Sequence, residues 1–117
     1  MKLNVLKKEY DSCKKCEELV NYRSQVVFGS QHMKKCPVLI IGEAPGKVED
    51  ENGEPFVGRS GQILNKFLEE IGLTRDDVFI TNTVLCRPPE NRNPKSDELV
   101  NCRSRLDRTI EVLNPKV

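Results

Sequence analysis

Hydrophobic positions along the chain follow two different periods. The uninterrupted apolar run at 38–41 and the segment DVFITNTVL at 77–85 predict two buried strands. Apolar residues at helical spacing predict three helices, over 3–10, 62–71 and 96–113. A short extended piece is expected at 25–28. The order strand, helix, strand, helix in the second part of the chain predicts an α/β fold with a parallel sheet.

The two longer helices have recognisable ends and faces. Ser60 or Gly61 is expected to cap the helix 62–71 at its N-terminus, and Gly72 is expected to end it. The helix 96–113 carries one apolar stripe, made of Leu99, Cys102, Leu106, Ile110 and Leu113. The proline-rich sequence RPPENRNP before this helix is expected to be a loop.

Composition limits the class of protein. With 117 residues and 37% hydrophobic residues, the chain suits one small domain. No apolar run approaches the roughly 20 residues of a membrane span, and the first residues are too charged for a signal peptide. We therefore expect a cytoplasmic protein without a membrane partner. The net charge is only +1. Residues 1–36 are nevertheless basic, and residues 43–54 are acidic.

Five cysteines in a cytoplasmic chain do not suggest a disulfide framework. Cys13 and Cys16 form a C-x-x-C motif, but no strand of the thioredoxin type precedes it, which argues against a redox motif. Together with Cys86 and Cys102, they could ligate zinc or an iron–sulfur cluster, or bind no metal at all. The spacing leaves these three alternatives open. Cys36 is expected to be a packed free thiol.

Five of the seven glycines lie in the segment 42–61, directly after the first predicted strand. The segment lacks the P-loop pattern, because Gly42 and Gly46 enclose only three residues and Val48 follows Lys47. Its acidic residues would also repel a triphosphate. A long structureless loop at the carboxyl end of a parallel strand is usually a ligand site, and Phe56 is available there to stack on a planar ligand.

Three motifs in this order resemble the family 4 uracil-DNA glycosylases, the thermostable iron–sulfur type. The first is GEAPGKVEDENGEPFVGRSGQIL and the second is TNTVLCRPPENRNP, while the cysteine pattern is the third. The segment VVFG at 26–29 also fits. The resemblance covers essentially the whole chain. It implies a three-layer α/β/α fold with a parallel central sheet, in one domain with an N-terminal cluster-binding segment at 1–36 and a βαβα core at 37–117.

The resemblance also implies a cofactor and a pocket. A [4Fe–4S] cluster would be held by four cysteine ligands, Cys13, Cys16, Cys86 and Cys102. Phe56 would stack on a flipped uracil, and Asn82 would read the edge of the base. Glu43, Ala44 and Gly46 would line the pocket near the sugar and the base. Glu49 would lie where the 5-methyl group of thymine must be excluded.

The implied function is the hydrolysis of the N-glycosidic bond of uracil in single- or double-stranded DNA during base excision repair. Glu43 and Asn82 are the implied catalytic residues. Arg87 and Arg92, with the basic N-terminal segment, would contact DNA phosphates. The protein is expected to act as a monomer associated with the nucleoid. The alternative is a non-catalytic iron–sulfur module that binds nucleic acid.

One departure from the family pattern concerns the C-terminus. The sequence EVLNPKV ends where another buried strand is expected, before any His-Pro-Ser motif. His32 lies upstream and lacks the sequence context of that motif. We therefore expect a fold that is incomplete at the C-terminus, with all cluster ligands present and with an incomplete active site.

Overall fold

A computed structural model describes residues 3–117 of the chain. These residues form two parallel strands and five α-helices, with 3₁₀ turns at Arg75–Asp77 and Pro89–Asn91. In chain order the elements are α1 (Leu3–Tyr10), α2 (Glu17–Tyr22), β1 (Val38–Gly42), α3 (Lys47–Asn52), α4 (Arg59–Glu70), β2 (Val78–Asn82) and α5 (Ser96–Leu113). No helix in this part of the chain is long and apolar enough to cross a membrane.

Strands β1 and β2 pair in parallel, with Val38 opposite Val78 and Gly42 opposite Asn82. The other edge of β2 is covered by the segment 27–30, whose Ser30 exchanges hydrogen bonds with Ile80. This is the extended piece expected near 25–28, although it forms no regular strand. Because β2 has neighbours on both edges and both faces, all five of its residues are buried.

Alternate residues of the sheet face two separate clusters of apolar side chains. On one face, Val78 and Ile80 pack with Leu68 of α4. On the other face, Phe79 packs in a cluster that contains residues of α1 and Leu113 of α5. Helices therefore cover both faces of the sheet, as the predicted three-layer α/β/α fold requires.

Strand β1 is less buried than predicted. Ile41 is 44% exposed, and most other β1 residues are only partly buried. The edge of β1 opposite β2 bears only the last residues of the chain, where Lys116 N donates to Pro37 O (2.7 Å) and Leu39 N donates to Val117 O (2.8 Å). An apolar run predicts burial from composition alone, whereas burial depends on what packs against each face.

The segment 42–61 is not structureless, which corrects the sequence prediction. It contains α3, and α4 already begins at Arg59, so Gly58 occupies the N-cap position expected at Ser60 or Gly61. Gly72 does follow the end of α4, with φ +78°. The strongly charged sequence KVEDEN of α3 has no apolar face, so periodicity gave no signal for this helix.

The helical faces also differ from the expected stripes. On α4, Leu68 is buried, but Ile63 and Phe67 are more than half exposed. On α5, the residues that are buried are Glu98, Arg105, Thr109 and Leu113, while Leu99 and Ile110 of the predicted stripe lie at the surface. The buried face of α5 therefore consists mainly of polar side chains that make specific hydrogen bonds.

Charged side chains attach the N-terminal segment to α5. Arg92 donates to Glu98 (2.8 Å and 2.9 Å) and to Glu18 of α2 (2.8 Å). The Glu98 side chain is 4% exposed, and its carboxylate also accepts a hydrogen bond from Lys95 N at the start of α5. The hydrogen bonds from Arg92 lower the pKa of Glu98, and those from Glu98 and Glu18 raise the pKa of Arg92.

This lowered pKa predicts how stability depends on pH. Glu98 contributes stability above its unfolded pKa of about 4.3, and the contribution disappears as the pH falls through the lower folded pKa. Urea unfolding of wild type and Glu98→Gln should therefore differ at neutral pH and converge in acid. The matched control is Glu111→Gln, an exposed position on the same helix. A difference for Glu98→Gln that stays constant with pH would contradict this assignment.

Candidate functional site

A pocket lies at the carboxyl ends of β1 and β2. The seven residues that line it are Ala44, Gly46, Glu49, Phe56, Ser60, Asn82 and Asn91. Five of the six residues expected at the pocket are among them, and Glu43 is not. Ser60 and Asn91 were not predicted, and they come from the start of α4 and from the proline-rich segment. The carboxyl end of a parallel sheet is the usual place for a ligand in an open α/β fold.

Gly42 brings the Asn82 amide and the Phe56 ring together. A Cβ atom at Gly42 would clash with Asn82 Oδ1 and would come within 2.6 Å of Cε2 and Cζ of Phe56. Only a residue without a side chain leaves room for both groups at this point. The register of the sheet places Gly42 directly opposite Asn82, so the strand pairing itself sets this geometry.

Asn82 is buried, yet its side-chain amide is available to a ligand. The residue is 2% exposed and lines the pocket. Within residues 3–117 its amide has no hydrogen-bond partner, and in particular it does not bond to its own backbone. The pocket therefore presents one donor and one acceptor group to whatever fills it.

Glu49 organises the loop around the pocket. Its Oε1 accepts a hydrogen bond from Gly46 N (3.0 Å), and its Oε2 accepts from Val57 N (3.0 Å) and Gly58 N (2.8 Å). The carboxylate thus caps α3 and connects it to the start of α4. The side chain lines the pocket, but its oxygens are occupied by backbone donors.

Two further charged residues hold the loop, and the sequence reasoning missed both. Arg75 donates to Phe56 O (2.9 Å) and Pro55 O (2.7 Å), at a turn where Phe56 has a φ of +54°. Asp50 is buried and accepts from Ser24 N at 2.9 Å and 3.1 Å. Neither residue belongs to a recognisable local motif, because their partners lie 19 to 26 residues away.

Glu43 is placed differently from the other predicted site residues. It is exposed and is not among the pocket-lining residues. Its backbone carbonyl accepts hydrogen bonds from Thr83 Oγ1 (2.6 Å) and Val84 N (3.2 Å). Glu43 therefore connects the ends of the two strands through its main chain.

A second cavity contains the cysteines. Cys13, Cys16, Cys86 and Cys102 all line it, together with Arg23 and Asn101. The four thiols come from the α1–α2 connection, from the segment after β2 and from α5. Cys36 lies elsewhere, where its Sγ contacts the carbonyl oxygens of Lys34 and Asp76. No group of three or more His, Cys, Asp or Glu side chains within residues 3–117 has the geometry to hold a single metal ion.

Polar donors surround these thiols. Arg23 Nη1 donates to Cys86 Sγ (2.9 Å), and Arg23 Nη2 donates to Cys13 O (2.7 Å). Burial raises the pKa of the Cys86 thiol to about 11, an effect that Arg23 opposes. Burial also raises the pKa of Cys16, whose sulfur accepts a hydrogen bond from Asn101. A cation or metal inside the cavity would favour the thiolate forms.

The other candidate polar residues have structural partners. Arg87 donates to Asn91 Oδ1 (2.8 Å) and lies over the ring of Tyr22. Arg92 is paired with the carboxylates of Glu98 and Glu18, which would compete with a DNA phosphate for its guanidinium group. The imidazole of His32 accepts from Lys34 N at Nδ1, so its Nε2 carries the proton and donates to Val78 O (2.8 Å).

Comparison with known proteins agrees with the motifs. Residues 29–117 match the model of the uracil DNA glycosylase superfamily. The chain belongs to this superfamily. It is 47% identical to the type-4 uracil-DNA glycosylase of Sulfurisphaera tokodaii over 98% of its own length and 52% of that protein. It is 45% identical to the type-4 enzyme of Saccharolobus solfataricus, over 98% of the chain and 53% of that protein.

The type-4 uracil-DNA glycosylase of Pyrobaculum aerophilum is also similar. The two sequences are 47% identical over 99% of the chain and 58% of that protein. The resemblance to family 4 is therefore confirmed along nearly the whole chain. The chain spans about half the length of the curated relatives it matches.

The role of Arg75 predicts the effect of a conservative change. Lysine keeps the charge but lacks the rigid guanidinium fork, whose Nη1 and Nη2 separately reach Phe56 O and Pro55 O. Arg75→Lys should therefore lower the free energy of unfolding by about 1–3 kcal/mol. It should also accelerate amide exchange at Val57 and Gly58. Arg59→Lys, at an exposed position, is the control. Unchanged stability and exchange in Arg75→Lys would show that the guanidinium does not hold this turn.

Proposed function

We propose that the chain forms the uracil-recognising and cluster-binding part of a uracil-DNA glycosylase. The observation that carries the proposal is the side-chain amide of Asn82, which lines a pocket beside the Phe56 ring and has no hydrogen-bond partner within residues 3–117. A flat pocket with one donor and one acceptor suits a pyrimidine that has left the base stack. The relatives named type-4 uracil-DNA glycosylase support the same substrate.

Asn82 provides the discrimination between bases. Uracil presents an N3–H donor and an O4 acceptor, which match the oxygen and the nitrogen of the amide. Cytosine presents the reverse pattern at the same positions, so an amide held in one orientation would meet donor with donor. Phe56 would stack on the face of the base, a contact worth roughly 1–3 kcal/mol. Glu49, by fixing the loop, would limit the space beside C5, where thymine carries its methyl group.

The reaction breaks the bond between C1′ of the deoxyribose and N1 of uracil, and a water oxygen forms the new bond at C1′. Positive charge develops on the sugar, and the leaving base carries the negative charge. Fixed donors aimed at the departing base stabilise that charge, and here Asn82 would act as one. Glu43, at the rim, would orient water or favour the cationic sugar. Uracil and the new hydroxyl group share the protons of the water.

We also propose that the four clustered cysteines hold a [4Fe–4S] cluster. The donor set fits this group, because four thiolates on one cavity are the usual ligands of such a cluster. A cluster fills a volume between its ligands, so the thiols need not converge on one point as they would around zinc. Its contribution would be structural, connecting the N-terminal segment to α5 and to the end of β2. The protein would act as a monomer on uracil-containing DNA.

Replacing Asn82 tests the recognition of uracil. Asn82→Asp places an ionised carboxylate, which has only acceptors, against O4 of the base. Cleavage at uracil should fall by about 10²–10³-fold. The assay measures strand breaks after alkali in single-stranded DNA with one uracil, and the control oligonucleotides contain thymine or cytosine. Asn4→Asp, an exposed position on α1 that adds the same charge, is the control variant.

The same assay separates the enzyme from a binding module. Wild-type protein that binds the uracil oligonucleotide selectively without breaking it would favour the non-catalytic alternative. Neither selective binding nor cleavage by wild type would contradict the proposed substrate. If the discrimination of Asn82→Asp equalled that of wild type, Asn82 would not read the base.

Iron analysis tests the cofactor. Protein purified without oxygen should be brown and should contain iron and sulfide in equal amounts. Cys102→Ser should lose most of the iron, while Cys36→Ser should keep it, since Cys36 is a buried cysteine outside the cavity. A colourless wild-type protein that contains zinc and no iron would refute the cluster. Equal iron loss in both variants would refute the assignment of ligands.

A further inference from the structure

Arg105 is a fully buried cation in the middle of α5. Its exposed fraction is 0%. Nη1 donates to Thr81 Oγ1 (3.2 Å), and Nη2 donates to the carbonyl oxygens of Asn82 (2.7 Å) and Thr83 (3.1 Å). All three acceptors are uncharged, and within residues 3–117 no carboxylate forms an ion pair with this guanidinium. A buried charge without a counter-charge is costly, so the arrangement needs an explanation.

The third nitrogen of the guanidinium, Nε, makes no hydrogen bond to the described residues. Arg105 Nε is the only buried side-chain nitrogen or oxygen of the described residues without a hydrogen-bond partner. Cys102 lies one helical turn before it, on the cysteine cavity. Burial lowers the pKa of Arg105, whereas the neighbouring thiols of Cys102 and Cys86 favour its charged form. A thiolate held at Cys102 would therefore place negative charge one helical turn from Arg105.

Through its other two nitrogens, Arg105 contacts the end of β2, whose residue Asn82 lines the base pocket. The Asn82 carbonyl belongs to the last residue of β2, whose side-chain amide lines the pocket, and the Thr83 carbonyl follows it directly. Thr83 N and Val84 N in turn donate to the carbonyls of Gly42 and Glu43 at the end of β1. One side chain therefore contacts the strand ends that shape the pocket and also carries charge beside the thiols.

We propose that Arg105 is a positioning residue that couples the cysteine cavity to the base pocket. An anionic group held by Cys86 and Cys102 supplies the missing counter-charge, and the guanidinium it fixes holds the Asn82 and Thr83 carbonyls in place. This rests on the cluster assigned under Proposed function. Loss of the group leaves a buried charge uncompensated and loosens the strand end that carries Asn82.

Amide exchange in the wild-type protein tests the coupling without any substitution. Thr83 and Val84 report on the end of β2, and Val57 reports on the distant loop held by Glu49. Chelating the iron should accelerate exchange at Thr83 and Val84 by roughly tenfold or more through local opening, while Val57 changes little. Exchange at Thr83 and Val84 that does not respond to iron removal would overturn the inference.

Variants then separate charge from hydrogen bonding. Arg105→Met removes both, and Arg105→Lys keeps the charge. Residues that contact metal ligands typically change metal retention by about 10–100-fold, so Arg105→Met should release iron to a chelator faster by that factor. It should also lower the reduction potential of the cluster, because a nearby cation favours the added electron. Arg105→Lys should restore the potential but not the slow exchange at Thr83.

The control is Arg103→Met, which removes an exposed arginine from the same helix. It should match wild type in iron release, potential and exchange. If Arg105→Met does not fold, the wild-type exchange experiment and Arg105→Lys still decide the question. Loaded Arg105→Met with wild-type iron retention and potential would overturn the inference and leave the cluster assignment intact. A wild-type protein that takes up no iron would overturn the cluster first, and this coupling with it.

Discussion

The parallel pairing of β1 with β2 is the constraint on which the site depends. It sets Gly42 opposite Asn82, and the missing side chain at Gly42 admits both the amide and the Phe56 ring. A shift of one residue would turn every side chain of β2 to the other face of the sheet and would remove Asn82 from the pocket. Such a shift would cost much free energy, because all five residues of β2 are buried and the strand lies between β1 and the segment 27–30.

Around this pair, the loop after β1 is shaped by charge rather than by apolar contacts. Glu49 accepts hydrogen bonds from three backbone N–H groups. Asp50 connects the loop to residue 24, and Arg75 donates to the carbonyls of Pro55 and Phe56. The acidic residues of the segment, which argued against a phosphate-binding loop, therefore have a structural role. Its carboxylates satisfy backbone amides that glycine-rich turns leave without partners.

The sequence predicted both strands and the limits of α1 and α5 from hydrophobic patterning, and the family motifs indicated Ala44, Gly46, Glu49, Phe56 and Asn82, which line one pocket, but not Ser60 or Asn91. It did not predict α3, whose charged residues have no periodic pattern. The true inward face of α5 was also missed, because Arg105 and Thr109 are polar and the partners of Arg105 lie more than 20 residues away. Exposed Ile63 and Phe67 on α4 show the same limit, since a helical stripe indicates a preferred face but not what covers it.

The cysteine cavity takes its walls from residues as far apart as Cys13 and Cys102. Contacts between such distant parts of a chain form late in folding, after the entropy of closing a long loop has been overcome. The four sulfurs are consequently separate until α5 reaches the N-terminal segment. Before that contact forms they are ordinary thiols open to oxidation, so reducing conditions during folding should favour protein in which all four are reduced.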